Sequence, residues 1–171
     1  MNETLSEKIK ANRKEYERLM KDDDYTDVRF NPKNGALSAI HKEHNFDTYI
    51  GKFGIERGDY ERNSVDILYD SGKKIILGSE IKPEGIKSNE GFLDDKKFDI
   101  KGVEGTGKRN IEYKLYEASG QDAETVVLYY PDKSVFSKQR IIDDYAAYMR
   151  NSKSKKIKMV CYIVDNNLHV L

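Results

Sequence analysis

Cysteine and histidine are scarce in this chain, and a long apolar run is missing altogether. The single cysteine, Cys161, excludes a disulfide framework. Its setting in the apolar run Met159–Val164 marks it as a buried, inert thiol rather than a nucleophile. No stretch of about 18 apolar residues occurs, so no membrane-spanning helix is expected, and the opening segment MNETLSEKIKANRKEYERLM lacks the apolar centre of a secretory leader. The chain therefore reads as cytoplasmic, or as a part delivered within a larger polypeptide, with no membrane partner. Net charge is missing too: 30 Lys and Arg balance 30 Asp and Glu. A nucleic-acid partner would have to be met by a local patch rather than by the field of the whole molecule. Repeats and low-complexity segments are absent.

What is present is dense charge of both signs on a chain of ordinary domain size. With 171 residues, 35% of them charged, one α+β domain over 1–171 is expected, with an N-terminal helix in 1–24 and a sheet core with inserted helices in 25–171. Thr4 and Glu7 have the spacing of a capping box, and Leu5, Ile9, Tyr16 and Leu19 recur at helical intervals up to Met20. A turn cluster, Asn31–Gly35, divides Asp27–Phe30 from a short strand in Ala36–His41. Gly51, Gly54 and Gly58 among charged residues make 49–66 read as a loop. Val65–Tyr69 and Lys74–Leu77 then read as a β-hairpin around Asp70-Ser71-Gly72-Lys73. Further on, the pattern predicts a strand over 97–102, a helix from Asn110, a strand Thr125–Tyr130, a helix within Ser134–Arg150 and a closing hairpin around Asp165-Asn166-Asn167. The sum is an N-terminal helix on a twisted, mostly antiparallel sheet of about five or six strands, with two further helices.

The chemistry concentrates around the strand at 97–102. Phe98 and Ile100 share one of its faces while Asp99 and Lys101 project together from the other. His41 and His44 stand three apart, a spacing that on a helix could make a metal pair. The sequence H-x-x-H lacks the Glu and the i, i+4 spacing of a zinc-protease helix, however, and the plain reading is two partly exposed side chains near a loop. Gly102-Val103-Glu104-Gly105-Thr106-Gly107-Lys108 fits the P-loop pattern, but Arg109 follows where a P-loop needs Ser or Thr for Mg²⁺. The same loop can instead offer backbone N–H groups, Lys108 and Arg109 to a phosphate at the N-terminus of the helix from Asn110.

Three functions remain open on these residues. His41, Asp99, Lys101 and Glu90 are the right groups to cleave RNA without a metal: a base for the 2′-hydroxyl proton, a cation for the phosphorane charge and an acid for the leaving oxygen. Two carboxylates and a lysine can instead hold Mg²⁺ and orient water, as in PD-(D/E)XK nucleases. Asp66, Glu80 and Lys82 would serve, as would Glu90, Asp99 and Lys101. The third possibility is a non-catalytic binding module whose paired Asp and Lys are a solvated sheet face.

The pieces NPKNGALSAIHKEH from Asn31, FDIKG from Phe98, Asn110-Ile111 and AETVVL from Ala123 resemble the C-terminal nuclease modules of phage head proteins. They also resemble the tRNA-cleaving ends of contact-dependent inhibition toxins, in the barnase/EndoU/colicin/RelE superfamily of metal-independent RNases. That resemblance implies a toxin-like endoribonuclease acting on tRNA or another structured RNA, without a cofactor and restrained by an immunity or antitoxin protein. It implies Glu90 as the acid ahead of the D-x-K strand and Asn110 as the polar residue opening the next helix. Ser119 and Gln121 would be a polar pair near that helix's end. His44, Lys108, Arg109, Asn110 and Gln121 are then expected to contact substrate, with His41, Asp99, Lys101 and Glu90 catalytic.

Overall fold

Eight strands form one mixed sheet in chain order, β1 (Tyr25–Phe30), β2 (Leu37–His41), β3 (Lys74–Leu77), β4 (Gly91–Leu93), β5 (Lys96–Gly102), β6 (Thr125–Tyr129), β7 (Met159–Val164) and β8 (Asn167–Val170). This computed structural model describes residues 3–86 and 89–171; Lys87, expected in the loop ahead of the central stretch, lies outside them. Among the described residues four α-helices and one short 3-10 turn (Lys133–Val135) complete the fold, three α-helices beyond the N-terminal one where two were expected: α1 (Leu5–Met20), α2 (Arg57–Asp70), α3 (Asn110–Gly120) and α4 (Lys138–Asn151). None of the described helices is long and apolar enough to cross a membrane.

Helix α1 starts where the capping box places it. The Thr4 hydroxyl accepts from the Glu7 amide and the Glu7 carboxylate accepts from the Thr4 amide, each at 3.1 Å. Its Leu19 packs on Leu37 and Ala39 of β2, on one face of the sheet. On that face α3 and α4 also lie, with Ile111, Leu115, Ile141 and Tyr148 against Val126, Leu128 and Tyr162. Helix α2 covers the other face, with Tyr60, Val65 and Leu68 against Ile75, Leu77, Phe98 and Ile100. Because both faces are covered, all five positions of β6 are buried, which is why Thr125–Tyr129 reads as a continuous β-branched and apolar run rather than an alternating one.

The α+β reading, with the N-terminal helix on the sheet, holds. Of the seven strand pairs, four are antiparallel and three parallel. The closing hairpin β7–β8 turns through Asp165 and Asn166, both at positive φ, as short polar side chains permit. One element differs in kind. The expected loop over 49–66 and the hairpin strand Val65–Tyr69 are replaced largely by α2, so β3 pairs in parallel with β2 and antiparallel with β4 instead. The turn at Gly72, with φ +83, ends a helix rather than a strand.

Candidate active site

Strand β4 is short, and its shortness makes the site. Gly91, its first residue, pairs with Leu77 of β3 and Phe98 of β5. β5 then runs on through Asp99, Ile100, Lys101 and Gly102 beside β6 with no β4 partner. Between the carboxyl ends of β3 and β5 the sheet is therefore split, and groups from both of its faces meet in the gap. Carboxyl ends of neighbouring parallel-running strands are where open α/β sheets place their ligands.

Five acidic or imidazole side chains from five separate segments converge there. His44 comes from the turn after β2, Glu61 from α2, Glu80 from the segment after β3, Glu90 from the residue before β4, and Asp99 from β5. The His44 turn is docked by a bond from the Glu80 amide to the Glu43 carbonyl and another from the Ser79 hydroxyl to the Glu43 carboxylate. The His44 ring is wholly buried. Its Nδ1 donates to the Gly78 carbonyl oxygen at 3.0 Å, and its Nε2 lies 3.1 Å from Glu61 Oε2 and 3.8 Å from Glu90 Oε2. Glu80 Oε1 is 3.5 Å from Nδ1. With Nδ1–H held by a carbonyl, a neutral ring would aim the Nε2 lone pair at two carboxylate oxygens. A proton, on the ring or on one of the carboxyls, or a shared cation must lie between them. The His44 pKa is correspondingly raised: burial pulls it down, but the Glu61 carboxylate, the Gly78 carbonyl and Glu80 together pull it up further.

Asp99 is only 2% exposed. Its Oδ1 accepts from the Glu90 amide at 3.0 Å, while Oδ2 is buried with no hydrogen-bond donor among the described residues, and so is Glu90 Oε2. Lys101 Nζ stands 3.8 Å from Asp99 Oδ2 and 3.7 Å from Glu117 Oε2, too far for a tight hydrogen bond to either. Burial pushes the Asp99 pKa up to about 6, Lys101 offsetting part of it. Glu90 is also pushed up, by burial first and then by the Glu61, Asp99 and Glu80 carboxylates. Buried carboxylate oxygens without donors are rare and costly. His44, Glu80 and Glu90 together place ligand atoms within 4.8 Å of one another, in a spacing that suits one divalent cation.

The expected residues thus divide. Glu90, Asp99 and Lys101 come together as anticipated, on one side of β5, and the strand and the helix after it are where the alternation put them. His44, expected to be partly exposed, is instead buried at the centre. His41 is not part of the cluster. It faces the α1 side of β2 with its ring edge against Tyr25 and its Nδ1 accepting from the Glu43 amide. Strands β3 and β4 intervene, a lateral distance of roughly 14 Å from β5. Asp66 points away to Arg29 at 3.0 Å, and Lys82 is exposed, so of the alternative triad only Glu80 reaches the site.

The phosphate cradle expected at the start of α3 is already filled. The Ile111 and Glu112 amides both donate to Asp144 Oδ2 of α4, at 3.0 and 3.1 Å. Arg109 sits at φ 64 with its guanidinium forked onto Glu112. Asn110 Nδ2 donates to the Gly105 carbonyl and braces the loop. Lys108 does line the open cleft beside Lys101. Gln121 caps the opposite end of α3, its amide bonded to Glu117 and Ala118, and Ser119 bonds Ser154; neither is among the residues lining that cleft. One residue of the cluster, Glu61, escaped the expected site altogether, and Glu80 was expected only in company with Asp66 and Lys82. No protein-family model, curated protein or solved structure matches this chain, so its chemistry is read from its own geometry.

Proposed function

We propose that this chain is a divalent-cation-dependent nuclease of the PD-(D/E)XK kind, hydrolysing phosphodiester bonds at the split between β3 and β5. The observation that carries the reading is the pair of donorless buried oxygens, Asp99 Oδ2 and Glu90 Oε2, beside the amine of Lys101. Glu90 and Asp99 fit the role of principal carboxylate ligands, with His44 and Glu80 able to supply the imidazole nitrogen and a further oxygen. A bound cation supplies Lewis-acid stabilisation of the phosphate charge and a more acidic water. Lys101, loosely held between Asp99 and Glu117, is placed to orient that water and to balance charge on the phosphate. The Gly78 carbonyl holds the His44 ring through Nδ1–H, the arrangement that usually fixes a ligating imidazole, and leaves Nε2 facing Glu61 and Glu90 as the nitrogen for the cation. The alternative in which His41 serves as the base of a metal-free RNase lacks support from its position on β2, with β3 and β4 between it and Asp99 and its Nδ1 taken by the Glu43 amide.

Incubating the purified chain with total RNA and with plasmid DNA, in Mg²⁺ or Mn²⁺ and again in EDTA, tests the proposal. Cleavage with either cation and none in EDTA is the expected result; cleavage that persists in EDTA rejects it. His41→Ala should cut at the native rate. His44→Ala should lose about 10- to 100-fold, the usual effect of disturbing a metal's surroundings, and restoration of part of that loss by raising the cation concentration would separate weakened binding from misfolding.

A further inference from the structure

A cleft of about 780 Å³ opens directly beside Lys101, between α2, the loop 103–109 and the first turns of α3. Its charge is not balanced internally. Glu104 is fully engaged by Arg57 at 2.9 and 3.1 Å, by the Tyr60 hydroxyl and by the Lys52 amide, which hold its pKa down to about 2. Lys101, Lys108 and Lys114 then line the cleft, and neither Lys108 nor Lys114 has an ion pair among the described residues. Lys114 stands out because it is a partly buried amine on α3 with no carboxylate of the described residues within 4.0 Å, and burial lowers its pKa. A desolvated amine without a partner calls for an anion. Tyr113 adds a ring to the same wall, 50% exposed and backed by the Arg109 guanidinium at 4.9 Å.

We infer that this cleft holds an unpaired stretch of nucleic acid leading into the site, its phosphates on Lys108 and Lys114 and a base stacked on Tyr113. The inference rests on the nuclease reading and names the form of its substrate. Cations along a groove with a free aromatic face are what single strands require, since only an unpaired base has a face to offer. A duplex would ask for a long basic surface, which a chain of zero net charge does not provide outside local patches.

The test is fluorescence anisotropy on the full chain carrying Asp99→Asn, in Mg²⁺ buffer, so that strands are bound without being cut. Labelled oligonucleotides of one sequence are compared as single strands and as blunt duplexes. Single strands should bind about 10-fold tighter. Tyr113→Ala should weaken that binding roughly 10-fold. Lys114→Met, which keeps the aliphatic stem, should weaken it comparably and lower the salt dependence by about 0.7 in log–log slope. A thermal melt no lower than that of the Asp99→Asn background keeps the Lys114 result from being read as misfolding. Equal or tighter duplex binding, or both variants binding as the background does, overturns the inference. Cleavage by the native chain with duplex preference removes the cleft's assignment and leaves the nuclease standing; tight, Tyr113-dependent single-strand binding with no cleavage does the reverse.

Discussion

An Asp99→Asn variant should lose nucleic-acid cleavage by about 10³-fold or more and yet melt at a higher temperature than the native chain. The first half follows from removing a carboxylate that lies against Lys101 and has an uncommitted oxygen, where a cation or a developing charge would be stabilised. The second half follows from burial. Asp99 has a folded pKa of about 6 against an ordinary 3.8, so the folded state binds its proton more tightly than the unfolded state does. Stability therefore falls as pH rises from about 4 to about 6 and stays low above that, by on the order of 3 kcal/mol. Asparagine keeps an oxygen for the Glu90 amide without the charge. In EDTA at neutral pH the melting temperature should rise by roughly 6–12 °C, and the gain should shrink below pH 6 and vanish near pH 4. A variant that melts lower than the native chain at pH 7, or that still cuts, contradicts the role given to Asp99.

Gly91→Ala should cost at least about 4 kcal/mol, enough to unfold a marginal domain. Gly91 has φ +149, and a Cβ placed there would sit 1.9 Å from the carbonyl oxygen of Ile76, an atom of the β3 backbone that cannot turn aside. Relief would require β4 to separate from β3, which takes Glu90 out of the gap along with it. Gly105→Ala is the matched control: its Cβ would meet nothing within 4 Å and its backbone is not strained, so its unfolding free energy from urea titration should move by no more than about 0.5 kcal/mol, with a near-native midpoint. Equal midpoints for the two variants would show that the close approach at Gly91 is not what holds β4.

Much of this architecture is local and therefore legible. The capping box at Thr4, the alternation that sends Asp99 and Lys101 to one side, the buried run at Thr125 and the turn at Asp165 each act through neighbours a few residues away. Helix α2 was hidden because Gly51, Gly54 and Gly58 suggested a loop and its N-terminus at Glu56 has no side-chain cap. The signal that could have found it is the buried stripe Tyr60, Ser64, Val65 and Leu68, at helical spacing but interrupted by a serine. The site was legible only where it lies on one strand. Glu61, Glu80 and His44 reach Glu90 through folding of distant segments, and nothing in the residues around His44 distinguishes its buried ring from the half-buried one at His41. Their difference is one of face: β2 ends at His41, whereas the turn after it carries His44 over the end of β3.

Under the proposed nuclease activity, the crowding of Glu61, Glu80 and Glu90 about a single imidazole, with Asp99 beside Glu90, would also tie two equilibria together. A phosphodiester approaching Lys101 meets the repulsion of those carboxylates until it is neutralised, and a cation entering among them is held better once a phosphate oxygen is present. Thermodynamic reciprocity makes the two enhancements equal, each ligand raising the affinity for the other by the same factor. Depleting divalent ions would then lower strand occupancy near Lys101 as well as turnover. A chelated molecule would release its nucleic acid rather than shield it, so activity could be withdrawn without leaving a protective coat on the substrate.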